Sequence, residues 1–419
     1  MRGKNPFESW QYHLLLLLRI GISNVGDWIY LISLNLLVLN MTDSPFAVSI
    51  LYMLKPLAAL LTNAWSGSVI DRFNKRNLMI MLDVIRAVLI AILPFCSSIG
   101  AIYFIVFFIC IASAVFGPVS MTYITQLTPP EQRQRFNSLR SLMDSGGFLI
   151  GPAVAGALFL VGTPVLALYI NSLALLFSGA ITLLLPNVET QLVSHPADHK
   201  GSFQLLKNDW KLVMNFSYRY VYITLIYFLF SCMMVIATAV DSLEAAFAKE
   251  VLALSESEYG FLVSVAGGGV ALGAIVNAIF SRKLATSWLI GFGAFHVAIG
   301  YMIYACSSSF SIAALGFFIL SVSLSFANTG FYTFYQNNIP VSVMGRVGSI
   351  YGFIEAIFLV ITTAVFGMMA QLASIQSVVM IGAFLMLLVT SILCALALLP
   401  AKKKYYSSII TETIEDSQA

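Results

Sequence analysis

The sequence predicts an all-α membrane protein with twelve transmembrane helices in two pseudo-symmetric six-helix halves, and three observations predict it. Of 419 residues, 59% are hydrophobic and only 10% are charged, with a mean hydropathy of +0.90, which is more apolar surface than a soluble fold needs. Apolar runs of bilayer-spanning length recur twelve times, joined mostly by short connections. Loop residues also repeat at one fixed interval, so that the last six runs read as a copy of the first six.

The first run, 12–40, follows the basic residues Arg2 and Lys4. It stays apolar to Val38 without a small-residue cleavage site, so it reads as a retained span rather than a signal peptide. Runs at 45–70, 78–97, 101–126, 138–161 and 164–186 complete a first half over residues 1–186. The polar stretch 187–217, with His195, Pro196, Asp198, His199, Lys200 and Lys207, reads as a cytoplasmic linker. A second half over 218–400 holds runs at 219–248, 258–281, 287–306, 309–336, 348–371 and 376–400, and a polar cytoplasmic tail, 401–419, closes the chain.

With the spans laid out in this way, all but four of the 22 Lys and Arg residues fall at inner loops, ends or helix margins. Lys249 lies outside, and Arg19, Lys55 and Arg86 lie within spans. The positive-inside bias then places both termini in the cytoplasm of a cell that carries the protein in its plasma membrane. Cys96, Cys110, Cys232, Cys306 and Cys394 are scattered through apolar runs and read as small buried hydrophobes.

The repeat can be read directly. An interval of 211 residues carries Pro129 to Pro340, Arg135 to Arg346, Ser138 to Ser349, Asp144 to Glu355 and Gly156 to Gly367. It also carries Asp71-Arg72 to Arg282-Lys283, where the positive charge is kept and the acid is lost. Parallel halves of this kind are expected of a transporter whose substrate binds near the membrane midplane.

Between the second and third runs stands Gly67-Ser68-Val69-Ile70-Asp71-Arg72-Phe73-Asn74-Lys75-Arg76. A charged turn between two spans must face water. These residues resemble the loop between spans two and three of the major facilitator superfamily, with the pattern Gly-x-Leu-Ala/Gly-Asp-Arg/Lys-x-Gly-Arg-Arg/Lys. Gly67, Asp71, Arg72 and Arg76 match, Val69 replaces the Leu, and Lys75 keeps the charge of an Arg. Asn74 stands where the pattern has Gly, a change that is tolerable because Asn enters left-handed geometry. The resemblance implies a conformational latch made by Gly67, Asp71, Arg72 and Arg76.

In the fifth run, Ser138-x8-Gly147-x3-Gly151-Pro152-x2-Ala155-Gly156 resembles the antiporter motif of exporters in that superfamily, with Ser138 and Ala155 replacing glycines. Gly147 and Gly151 let a neighbouring backbone approach, and Pro152 frees a carbonyl and bends the helix; with Gly156 they suit a packed pivot. The blocks Phe116-Gly117-Pro118, Pro129-Pro130-Glu131 and Arg135-Phe136-Asn137-Ser138 are similar to the macrolide-efflux and enterobactin-exporter branch. One departure stands out: many drug/proton antiporters carry a basic residue in the fourth span, and 101–126 here has none.

An ionised side chain at the centre of a span costs about 2.5–3.5 kcal/mol on insertion scales, so each should face a partner or a wet cavity. Asn24, Asp27 and Asn35 share one helical face, with Asp27 about 20 Å along from Leu14. Asp27 is the first candidate proton carrier. Lys55 lies within reach of it, and a permanent Asp27–Lys55 pair would make Asp27 structural instead. Asp144 and Glu355, the matched acids, are further candidates; Arg140, one turn before Asp144, is its expected charge partner. Asp83 and Arg86, three apart, read as a local pair, and Asp241 and Glu244 as neighbours on one face of the seventh run. Aromatics such as Trp28, Tyr227, Phe331 and Tyr335 are available to line an amphipathic pocket.

Other chemistry finds little support. There is no Gly-x4-Gly-Lys-Ser/Thr phosphate loop, no His-Glu-x-x-His pair among His13, His195, His199 and His296, and no Gly-x-Ser-x-Gly elbow. No enzyme activity, cofactor, metal or nucleic-acid partner is expected. Asn40-Met41-Thr42 matches a glycosylation acceptor. The expected function is secondary active export of an amphipathic organic compound, whether drug, macrolide or siderophore-like, by proton antiport. A proton-linked importer of a nutrient or lipid, or a non-transporting membrane receptor on the same fold, are the alternatives. The partners are then a small-molecule substrate, protons and the lipid bilayer.

Overall fold

The structure, a computed structural model, describes residues 10–62, 73–128, 130–188, 202–280, 284–339 and 341–406, and among them the regular elements are all helices. The first half holds α1 (Trp10–Thr42), α2 (Pro45–Thr62), α3 (Lys75–Ile92), α4 (Ile99–Leu127), α5 (Pro130–Val161) and α6 (Pro164–Leu183). After them come α7 (Ser202–Arg219), α8 (Val221–Asp241), α9 (Glu244–Glu250), α10 (Glu256–Phe280), α11 (Thr286–Ala305), α12 (Phe310–Asn338), α13 (Val341–Leu372) and α14 (Ile375–Ala397). All but α7 and α9 are long and apolar enough to cross a membrane, which makes twelve spans among the described residues. Lipid offers no partner for a free backbone N–H or C=O, so a chain this apolar closes its hydrogen bonds within each segment. Large apolar side chains such as Phe104, Leu173 and Phe384 stay exposed on these helices, as a lipid-solvated surface requires.

The spans of both halves start in register. Trp10 and Val221, Pro45 and Glu256, Lys75 and Thr286, Ile99 and Phe310, Pro130 and Val341, and Pro164 and Ile375 open corresponding helices, each pair 211 residues apart. Several starts have a local cause. Pro45, Pro130 and Pro164 sit at helix starts, where a missing N–H costs nothing. Ser98 and Ser374 accept the backbone N–H three residues on, at 3.2 Å in each case. Asn74 does the same for Asn77 at 3.0 Å, with φ −60° and ψ 118°. It is therefore an extended N-cap and not the left-handed residue expected from its loop position, because a capping side chain reaches the first turn only from extended backbone.

Two further differences concern the seventh run and the linker. The run breaks after Asp241, where the Ser242 hydroxyl donates to Ala239 O at 2.7 Å, and α9 begins afresh at Glu244. Asp241 and Glu244 thus do not share a helix face. Ala245, Ala246, Phe247 and Ala248 are all buried, so α9 is an inward-packed turn rather than the end of a span. Part of the polar stretch expected as linker is helical, as α7.

The residues group into two compact units, Met1–Val193 with Glu244–Gly267 and Ser194–Leu243 with Gly268–Ala419. In the first, Leu16, Leu17 and Ile20 of α1 meet Leu78, Met79 and Leu82 of α3, Val115, Val119 and Tyr123 of α4, and Phe136 of α5. In the second, α11 and α12 approach closely: a Cβ on Gly300 would stand 2.5 Å from the Leu320 nitrogen. The segment after α14 docks on this unit, with Tyr406 Oη 2.7 Å from Tyr222 Oη and Asn338 Nδ2 donating to Tyr405 O at 2.8 Å.

Candidate functional site

Just beyond the apolar core of the first unit, three ions are buried together. Arg19 Nη2 donates to Asp83 Oδ2 at 2.9 Å, Arg86 Nη2 donates to Asp83 Oδ1, and Ser178 Oγ donates to Asp83 Oδ2 at 3.1 Å. The Arg19 and Arg86 guanidiniums lie 4.5 and 4.6 Å from the ring centre of Phe116, whose negative face adds a cation–π contact to each. Arg19 is 2% exposed, Asp83 0% and Arg86 5%. One carboxylate therefore serves two guanidiniums, and the Nε of each arginine has no hydrogen-bond partner among the described residues. The Asp83–Arg86 pair matches the expectation from spacing; Arg19, Phe116 and Ser178 were not foreseen as its partners. The intramembrane charge of Arg19 was the available signal.

Two turns along α1 from Arg19, Asp27 is exposed and makes no hydrogen bond or ion pair among the described residues. Lys55 is exposed as well, and the Asp27–Lys55 pair considered above is not formed. Depth along the two helices fixes the level of each side chain but not the face it occupies, so matched depth alone does not bring the two together. Asp144 is exposed and accepts one hydrogen bond, from Asn24 Nδ2 at 2.6 Å. Arg140 does not pair with it; its Nη1 points to Met121 Sδ at 3.4 Å. Four residues on a helix differ by about 40° in direction, enough here for Arg140 to turn towards α4 and Asp144 towards α1.

The glycines of α5 explain that approach. A Cβ on Gly147 would stand 2.6 Å from Asn24 Cβ, and one on Gly151 would stand 2.5 Å from Trp28 Cβ, so α1 lies directly on them. The Trp28 and Phe148 rings stack beside this contact, 4.1 Å apart and 17° from parallel. Pro152 has no N–H for the Phe148 carbonyl, and Gly267 of α10 packs there, where a Cβ would be 2.4 Å from that oxygen. Ser264 Oγ donates to the adjacent Leu149 carbonyl at 2.7 Å, and Gly156 meets Ser257, Gly260 and Phe261. Gly147, Gly151, Pro152 and Gly156 are thus brought together as one packing strip facing α1 and the start of α10.

In the second unit, Glu355 is half-buried and Ser231 Oγ donates to its Oε2 at 2.8 Å. One turn away, Tyr227 lies 4.7 Å from Tyr351, 5.4 Å from Phe331 and 5.9 Å from Tyr335, ring centre to ring centre. Asp241 accepts from Tyr301 Oη at 2.7 Å.

Of the latch residues, Gly67, Asp71 and Arg72 lie outside the described residues. Arg76 Nη1 donates to Leu185 O at 2.9 Å and Asn74 Nδ2 to Asn187 Oδ1 at 2.7 Å, which ties the start of α3 to the chain leaving α6. At the far end of α1, Asn40 donates to Glu256 Oε1 at 2.6 Å and accepts from Lys249 Nζ at 3.1 Å, so the amide of the glycosylation pattern is engaged.

Residues 16–363 match the sequence profile of the Major Facilitator Superfamily. An uncharacterized MFS-type transporter of Bacillus subtilis (strain 168), YfiS, is 24% identical over 354 residues, which cover 82% of this chain and 83% of that protein. Among solved structures, the nucleoside transporter NupG is similar with a TM-score of 0.71 at 13% identity, covering 92% of this chain and 98% of that one. A bacterial homolog of the human lysosomal transporter Spinster, inward-facing and unoccupied, is similar with a TM-score of 0.68 at 16% identity, covering 96% and 97%. These likenesses carry the fold, and a profile match over that length, on twelve spans in two registered halves, makes the chain a member of the Major Facilitator Superfamily.

Proposed function

We propose that the protein is a secondary active transporter that exports an amphipathic organic compound in exchange for protons, as the macrolide-efflux and enterobactin-exporter branch does. The observation that carries the reading is Asp27, a mid-span carboxylate that is exposed and has no hydrogen-bond or ion-pair partner among the described residues. An acid so placed takes a proton from one side of the bilayer and gives it up to the other as access alternates. Each charge moved adds about 2.3 kcal/mol per 100 mV. Asp144 and Glu355, each held by a single neutral hydrogen bond, are free enough to act as second acids. The α5 strip of Gly147, Gly151, Pro152 and Gly156 is the pivot and favours export over import. Residues 1–186 and 218–400, joined by 187–217, are the alternating halves, Arg76 belongs to the latch, and both termini face the cytoplasm at the plasma membrane.

Everted membrane vesicles test this. Uptake of ethidium and erythromycin is expected to follow an acid-interior pH gradient, and Asp27→Asn to lower it by about tenfold, more than Glu355→Gln does. Uptake that ignores the gradient removes the antiport claim, and accumulation only in right-side-out vesicles turns the reading to import.

A further inference from the structure

We propose that the chain leaving the last span builds a binding site for the headgroup of an anionic phospholipid, with Lys402, Lys403 and Lys404 holding the phosphate. The three lysines lie in a 3-10 helix, Pro400–Tyr405, that begins three residues after the end of α14.

The ends of three spans fix the depth of this segment by direct contact. Tyr222 is the second residue of α8, Asn338 the last of α12 and Leu396 the last but one of α14. Tyr222 Oη donates to Leu396 O at 2.9 Å and lies 2.7 Å from Tyr406 Oη, and Asn338 Nδ2 donates to Tyr405 O at 2.8 Å. The Tyr222 ring is 4.9 Å from that of Tyr405, and the Phe334 ring of α12 is 5.2 Å from that of Tyr406. Tyrosines at span ends sit at headgroup level, with the ring body in apolar surroundings and the hydroxyl towards water. Lysines fastened to these rings are held at the same level.

The rings also place the charges. Lys402 Nζ lies 5.1 Å from the centre of the Tyr222 ring and 5.9 Å from that of Tyr405, and Lys404 Nζ lies 5.3 Å from that of Tyr405. A ring face orients a cation without cancelling its charge. Lys403 and Lys404 are exposed, and the ammonium groups of Lys402 and Lys403 have no ion-pair or hydrogen-bond partner among the described residues. Arg219, exposed and three residues before Tyr222, adds a fourth cation at this end of the spans. A phosphodiester is the anion that a bilayer supplies at this depth. Apolar surface adjoins the charges in the chain: Val221, next to Tyr222, is 61% exposed, and Leu399, next to Pro400, is 42% exposed. A ligand with a charged head and acyl chains uses both surfaces, whereas a free anion uses only the first.

The repeated frame does not require this arrangement. Pro186 follows α6 at the interval at which Pro400 follows α14, yet it leads into Asn187-Val188-Glu189-Thr190 instead of Ala401-Lys402-Lys403-Lys404. The first half closes that end with a backbone contact, from Arg76 to Leu185 O.

Native mass spectrometry of the detergent-solubilised full chain tests this, with dioleoyl phosphatidylglycerol and dioleoyl phosphatidylcholine titrated separately. The first phosphatidylglycerol is expected to bind about tenfold or more tightly than the first phosphatidylcholine. Lys402→Gln, Lys403→Gln and Lys404→Gln should each weaken phosphatidylglycerol alone, about fivefold apiece, until in the triple variant the two lipids bind alike. The triple Lys→Arg variant keeps the charges and should keep the preference. Tyr405→Leu removes the ring beneath Lys402 and Lys404 with every charge in place, and should weaken phosphatidylglycerol about threefold. If Tyr405→Leu does not fold, Tyr222→Leu removes the other ring and carries the same expectation. Inorganic phosphate in large molar excess should leave the lipid bound. No preference for phosphatidylglycerol, a preference that survives the triple Gln variant, equal weakening of both lipids, or loss in the triple Arg variant overturns the proposal. An unchanged preference in the folded ring variant makes the lysines a loose tether and overturns the built site, and displacement by phosphate overturns the lipid as its occupant.

Discussion

Position for position, the first half sets Arg19, Asp83, Arg86 and Phe116 where the second has Phe230, Ala294, Val297 and Ala327, on helices that begin in register. The second set packs without ions. Phe230 stacks on Phe331 at 4.0 Å with the planes 4° apart, and Gly293 draws α11 onto Ala327, whose nitrogen would be 2.8 Å from an added Cβ. One backbone frame therefore accepts either an ionic or an apolar filling, and apolar fillings of such sites are commonly as stable or more so. The same contrast runs along α5 and α13, where Gly147, Gly151 and Pro152 face Phe358, Thr362 and Thr363 in the repeat. What both halves keep is an acid on this helix, Asp144 or Glu355, accepting from a neutral side chain of the first helix of its own half, Asn24 or Ser231. Features held by one half alone are where function has departed from the frame.

The largest effect is expected from breaking the ionic filling outright. Asp83→Ala leaves two buried guanidiniums without a counter-ion and should cost about 3–5 kcal/mol, read as a lowered thermal midpoint in detergent. Arg19→Phe, Asp83→Ala, Arg86→Val and Phe116→Ala together copy the second half and should recover most of that stability. A quadruple variant as unstable as Asp83→Ala would show that the two fillings are not interchangeable.

The spans and their repeat were legible because lipid leaves an apolar chain no alternative to the helix and because corresponding helices begin at a constant interval. The ionic set was only half legible. Asp83 and Arg86 are three residues apart, a spacing that meets on any helix, whereas Arg19 is 64 residues from Asp83 and nothing local says which face of α1 turns to α3. The same blindness to helix rotation produced the expected Arg140–Asp144 pair, since spacing places both on one side but not against which neighbour. The break after Asp241 was hidden for another reason: Ser242 and Leu243 do not interrupt the apolar run, and the turn comes from a hydroxyl bonding back to Ala239.

A smaller effect sharpens the contrast between α5 and α13. In Gly151→Leu the new side chain begins 2.5 Å from Trp28 Cβ and 3.0 Å from the Val25 carbonyl, so α1 and α5 must part. Overpacking of this kind costs about 1–3 kcal/mol, and it should also loosen the Asn24–Asp144 bond and reduce flux. Thr362→Leu, the corresponding change in α13, should cost less than about 1 kcal/mol, because that position already carries a side chain. Equal losses at both positions would mean that the strip is ordinary packing rather than a contact peculiar to the first half.

The smallest effect has the opposite sign. Gly352 sits inside α13, three residues before Glu355, and a Cβ there would meet no atom within 4 Å. Close approach is therefore not what this glycine provides. Gly352→Ala removes backbone freedom from the unfolded chain and adds helix propensity, together up to about 1 kcal/mol of stabilisation. The thermal midpoint should rise slightly with flux unchanged, whereas Gly151→Ala, whose added carbon already collides with Trp28, should lower both. If Gly352→Ala also suppresses flux, α13 bends at that glycine during transport, and the second half then has a moving joint of its own where the first has its glycine–proline strip.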